Sequence, residues 1–135
     1  AKLWIIPAER MKAKREHIVP LSPQALEILN VMKPISAHRE HIFPSRNDPK
    51  LPMNSQTANA ALKRLGYGRK LVAHGLRSIA STAMNEQGFN SDVIEVALSH
   101  IERNEVRKAY NRSLYLKQRQ ELMNWWGNMV SAFNY

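Results

Sequence analysis

The chain has 135 residues, enough for one compact domain around a single core, and no cysteine, which excludes disulfides, thiolate catalysis and cysteine-based zinc sites and fits an intracellular protein. Twenty lysines and arginines against eleven acidic residues leave a formal charge of +9, so the expected partner is a polyanion. No apolar run approaches the roughly 20 residues needed to cross a bilayer and no signal-peptide pattern opens the chain, which favours nucleic acid over a membrane surface.

The first residue is Ala1, not methionine, and "LWII" at Leu3 to Ile6 reads as a buried strand with no turn or cap ahead of it. This is expected of a piece of a longer protein. A polar, basic stretch from Glu9 to His17 separates that strand from apolar Ile18 and Val19, the pattern of two antiparallel strands joined by an exposed turn. Ser22 and Pro23 then cap a helix whose stripe is Ala25, Leu26, Leu29 and Met32, with Pro34 as its expected end. Residues 36 to 52 are polar and proline-punctuated and read as a long loop, with Ile42 and Phe43 as its anchor. Ala58, Ala61, Leu62 and Leu65 predict a second helix, stopped by Gly66 and Gly68.

In "VAHGLRSIASTAMNEQG" the residues Leu76, Ile79, Ala80, Ala83 and Met84 form a helical stripe that Gly88 should terminate. His74 and Arg77 open that helix on neighbouring positions of one side, where free backbone N–H groups and the helix dipole favour an anion such as phosphate. Taken alone, the pair reads more simply as a capping histidine beside a solvated arginine. "SDVIEVALSH" predicts a short helix capped by Ser91, with Val93, Ile94, Ala97 and Leu98 inward; His100 at its end is, by itself, a C-terminal cap. A further short helix is expected over "NEVRKAY", capped by Asn104, with Val106, Ala109 and Tyr110 on one face. The chain closes on an amphipathic helix marked by Tyr115, Leu122, Trp126, Met129 and Phe133, suited to core packing or to docking on another subunit. Trp125 and Trp126 are adjacent, so at least one should be core or interface.

Taken in order, a basic hairpin ending in proline, a His-x-x-Arg at a helix start, a Leu-x-His and a following tyrosine resemble the catalytic domain of the tyrosine recombinases, the phage integrase family. Lys12 stands in "MKAKREHIVPLS", His74 and Arg77 in "HGLR", and "LSH" at Leu98 to His100 has Ser99 where the family has glycine. Tyr110 follows His100 by ten residues in "VRKAYNR". The wording "WIIPAERMK" and "AYNRSLY" is most similar to integrases of temperate phages and genomic islands, and the likeness covers essentially the whole chain.

The resemblance implies an α+β, mainly helical fold: a small N-terminal antiparallel hairpin followed by a helical bundle, residues 1–135 being the C-terminal part of the catalytic domain. The upstream catalytic portion and the core-DNA-binding domain would then be absent, and with them an arginine that the family carries before the first strand seen here. Arg10 and Arg15 lie on the hairpin and do not replace it. The implied activity is site-specific recombination, integration or excision of mobile DNA, through a 3′-phosphotyrosyl intermediate, with no cofactor and no metal. Tyr110 would be the nucleophile and Lys12 the general acid, His74 would assist the phenol proton, and Arg77 and His100 would hold the non-bridging oxygens.

Lys14, Arg15, Arg64, Lys70, Arg103, Arg107 and Lys108 are expected to contact DNA phosphates or to be plain solvated charge. His38 and His41 lack a third ligand, so zinc is not expected. The implied partners are double-stranded attachment sites, a homotetramer of the full-length protein on DNA and DNA-bending accessory proteins, in the bacterial cytoplasm and nucleoid. Two other readings share parts of this pattern. A noncatalytic helical DNA-binding module explains the charge but not Lys12 and Tyr110, and a type IB topoisomerase shares the chemistry and differs in outcome.

Overall fold

The computed structural model describes residues 2–100 and 115–132. Among these the fold is α+β and mostly helical, with one two-stranded antiparallel sheet and five α-helices. It divides into two compact units, Ala1–Gln24 with Ala80–Tyr135, and Ala25–Ile79.

In the first unit, β1 (Leu3–Ile6) pairs with β2 (His17–Pro20) in the register Leu3 to Pro20 through Ile6 to His17. β1 is not the buried strand that its apolar run predicts. Leu3, Trp4 and Ile5 are 40%, 56% and 54% exposed, because among the described residues β2 is the one strand beside β1 and a two-stranded ribbon cannot cover both of its faces. β2 is better covered, with Pro20 buried, because the final helix α5 (Leu116–Ser131) packs on it.

The core lies where α5 meets α4 (Ser91–Ala97) and the later turns of α3 (Gly75–Glu86). Ala80, Met84, Val93, Ile94 and Leu122 are buried, and Phe89, Tyr115, Trp125 and Trp126 pack around them. Phe89 meets Trp125 edge to face at 5.3 Å. Both tryptophans and the Tyr115 ring are therefore packing groups. Burying a side chain such as Ile94 or Leu122 contributes about 1.5–3 kcal/mol, so this small cluster dominates the unit.

α5 carries two features that its hydrophobic pattern does not reveal. Arg119 is 2% exposed and its Nη1 donates to the Ile18 carbonyl at 2.7 Å, tying helix to strand; burial pushes its guanidinium below the ordinary arginine range. Gly127 faces the segment after β2, where a Cβ would lie 2.9 Å from Ser22 Oγ. Glycine is thus the residue that permits this approach, although it costs helix stability. Next to it Gln24 Nε2 donates to Asn128 Oδ1 at 2.7 Å.

In the second unit, helix α1, which runs Pro23–Ser36, continues through Pro34 instead of ending there. Proline removes one amide donor, yet the last turn survives because Ala37 N–H donates to the Lys33 carbonyl and buried Ser36 donates to Ile42 O at 2.6 Å, with Met32 O at 3.2 Å. Ile42 and Phe43 do not anchor the following loop by their side chains, which are 52% and 44% exposed. Their carbonyls do so instead, Ile42 through Ser36 and Phe43 through the Met53 amide at 2.8 Å. Helix α2 (Thr57–Leu62) leads into a π-helical turn over Lys63–Tyr67 in which Gly66 takes a φ of +89°. The altered winding turns Leu65 outward, contrary to the simple helical spacing.

Candidate active site

Lys12 sits at the turn between β1 and β2. Arg10 and Met11 amides close a short 3-10 turn onto Pro7 and Ala8, and the Lys14 amide then bonds to Met11 O at 2.9 Å, leaving Lys12 and Ala13 at the tip. Lys12 is exposed. A long amine on an exposed turn tip can change its position without displacing the core. Lys14, in the left-handed region at φ +51°, is also exposed, while Arg15 is half-buried.

His74 and Arg77 are set by the segment that enters α3. Asn59 of α2 accepts the Ala73 amide at 2.7 Å, fixing the backbone beside His74. The amides of Gly75, Leu76 and Arg77 then bond to the carbonyls of Val72, Ala73 and His74. The free backbone donors anticipated at this helix start are thus already occupied, because the chain enters through a tight i-to-i−3 turn. Any anion held here would be held by the side chains and the dipole. His74 is exposed and Arg77 is half-buried.

His100 is placed by the way α4 ends. The cap at its start is Asn90, whose side chain accepts the Asp92 amide at 2.8 Å, and not Ser91. At its end Ser99 turns into the left-handed region at φ +53°, Ser99 N–H donates to Val96 O and His100 N–H donates to Glu95 O at 2.9 Å. This is a Schellman closure with serine where glycine is usual. His100 and Glu95 side chains meet through Nδ1 and Oε2, a pairing that sequence spacing did not signal.

Lys12 and His100 belong to the first unit, and His74 and Arg77 to the second. Arg64, in the π-helical turn, and Lys70, just after it, are exposed. Tyr110, Arg103, Arg107 and Lys108, and the short helix expected to carry Tyr110, lie outside the described residues. Among the described residues no group of three or more metal-ligating side chains converges, and no helix is long and apolar enough to cross a membrane.

Comparison with known proteins places these residues in a family. Residues 1–117 match the profile of the Phage integrase family, a span that includes Lys12, His74, Arg77, His100 and Tyr110. The chain is 64% identical over 132 residues to Prophage integrase IntA of Escherichia coli (strain K12), a match covering 98% of this chain and 32% of that protein. It is 43% identical to the Integrase of Enterobacteria phage P4, covering 95% of this chain and 33% of the relative, and 39% identical to the Integrase of Shigella phage Sf6, covering 96% and 34%. The chain therefore spans about a third of the length of these curated relatives. No solved structure matches significantly. With a family match across most of its length and a relative of such high identity, the chain belongs to the phage integrase family.

Proposed function

We propose that this chain is the C-terminal part of a recombinase catalytic domain that cuts and rejoins double-stranded attachment sites during integration or excision of mobile DNA. The observation that carries the reading is the family match, because it spans the lysine, both histidines, the arginine and the tyrosine in one ordered set. Strand exchange without metal or nucleotide requires an intermediate that conserves the phosphodiester bond energy. A phenol oxygen can attack phosphorus and later leave.

In the proposed step Tyr110 Oη bonds to phosphorus while the bond from phosphorus to the 5′-oxygen breaks. His74 assists removal of the phenol proton, and Lys12 supplies a proton to the departing oxygen, which leaves as a 5′-hydroxyl. Arg77 and His100 neutralise charge on the non-bridging oxygens. Attack by another strand's 5′-hydroxyl on the 3′-phosphotyrosine reverses the chemistry and completes the exchange. Lys14, Arg15, Arg64, Lys70, Arg103, Arg107 and Lys108 supply phosphate contacts that give affinity and steep salt dependence. The full-length protein acts as a homotetramer on DNA, aided by DNA-bending proteins.

The test is a nicked suicide duplex carrying the attachment site of IntA, incubated with an integrase in which this chain replaces the matching third of IntA. A covalent protein–DNA adduct is expected, retained in Tyr115→Phe and abolished in Tyr110→Phe. An adduct that persists in Tyr110→Phe and vanishes in Tyr115→Phe would overturn the assignment. Absence of any adduct from the unsubstituted protein, despite DNA binding, would favour a noncatalytic binding module.

A further inference from the structure

The pairing of Glu95 with His100 is not accounted for by helix geometry. Residues five apart on an α-helix point about 140° away from each other, so a helix continued through His100 would carry the two side chains to different faces. The left-handed turn at Ser99 prevents this. It folds the chain back so that His100 N–H returns to the Glu95 carbonyl, and the imidazole comes to lie over the Glu95 side chain. Backbone closure and side-chain pairing thus involve the same two residues.

We propose that Glu95 is a positioning residue for the strand-transfer site, its carboxylate engaging Nδ1 of His100 and so reserving Nε2 for the DNA phosphate. The proposal rests on the recombinase reading for its catalytic meaning, but not for its geometry. A carboxylate can only accept, so Nδ1 must carry a hydrogen in either protonation state of the ring. Nε2 is then the one nitrogen left for the substrate: it donates to a phosphate oxygen when the ring is protonated. Without the carboxylate, either nitrogen can carry the proton of the neutral ring, and the imidazole can turn its Nδ1 edge outward. The pair is partly exposed, the side chains being 41% and 51% accessible, so its role is orientation and not bulk stability.

Two measurements test this separately. The first is 15N NMR of the His100 ring in the 135-residue chain without DNA, read from the neutral form of the ring. The Nδ1–H tautomer should predominate in the native chain and in Glu95→Gln, whose amide oxygen still accepts, and should give way to Nε2–H in Glu95→Ala. Predominance of Nε2–H in the native chain, or an unchanged tautomer in Glu95→Ala, overturns the geometry.

The second is the rate of adduct formation at saturating DNA in the integrase described above. Glu95→Ala should slow it about tenfold and Glu95→Gln by less than about threefold, with DNA affinity unchanged in both. Equal loss in the two variants, or none in Glu95→Ala, overturns the positioning role. If the unsubstituted protein forms no adduct while the tautomer result holds, the recombinase reading fails and the catalytic meaning of Glu95 fails with it, leaving the orientation of His100 intact.

Discussion

The two units hold themselves together by different means. Among the described residues, the buried core of Ala80, Met84, Val93, Ile94 and Leu122 lies in the unit formed by Ala1–Gln24 and Ala80–Tyr135, whereas the Ala25–Ile79 unit has one buried residue, Ser36, and exposes Ile28, Val31 and Leu65 at 58%, 67% and 72%. The first is built round a hydrophobic cluster. The second is shaped by side chains that satisfy backbone groups: Ser36 on Ile42, Asn59 on Ala73, Ser45 on the amides of Asn47 and Asp48. A cluster resists loss of any one hydrogen bond, while a hydrogen-bonded frame is tuned locally, which suits the segment that sets His74.

This contrast can be broken by substitution. Leu122→Ala removes a fully buried side chain and should lower unfolding free energy by about 2–5 kcal/mol in urea titration; a loss under about 1 kcal/mol would show that the cluster does not govern that unit. Asn59→Ala should cost about 1 kcal/mol and act locally, speeding hydrogen exchange at the Ala73 amide while leaving Ile94 protected. If Ile94 exchange rises equally, the two units do not open independently. The smallest effect is expected from Ser99→Gly, which relieves a non-glycine left-handed residue and should raise stability by about 0.5 kcal/mol, read as a small upward shift in denaturant midpoint. A fall in stability would mean that the serine side chain itself supports the turn.

The helix terminations show how much of this was legible. Gly88 was recognisable as the end of α3, and the structure gives it φ +88° with a Schellman closure in which the Phe89 amide returns to Met84. Ser99 performs the same turn without glycine, and its one sign in the sequence is that serine stands where the resembled family has glycine. The Glu95–His100 pairing depends on that turn and was not legible from spacing. The hairpin, α4 and α5 were readable because apolar periodicity reports a face that must be covered.

Burial was less readable than element type. β1 has the apolar run of a covered strand but, among the described residues, one neighbouring strand, and Arg119 has the charge of a surface residue yet sits in the interior bonded to a carbonyl. Each depends on what lies across from it, which a one-dimensional pattern does not record. At the candidate site the residue types, order and spacing of Lys12, His74, Arg77 and His100 were available directly. Their settings were not: the occupied amides before α3 and the αL turn after α4 follow from backbone conformation.

The bond from Arg119 to the Ile18 carbonyl joins positions 101 residues apart. It therefore fixes an order in time. During synthesis from the N-terminus the strand leading out of the lysine turn precedes its anchor, which emerges only with α5. A two-stranded ribbon is marginal by itself in water. The turn bearing Lys12 acquires this support only once α5 has been made, because a contact of such long sequence separation requires closure of the chain between them.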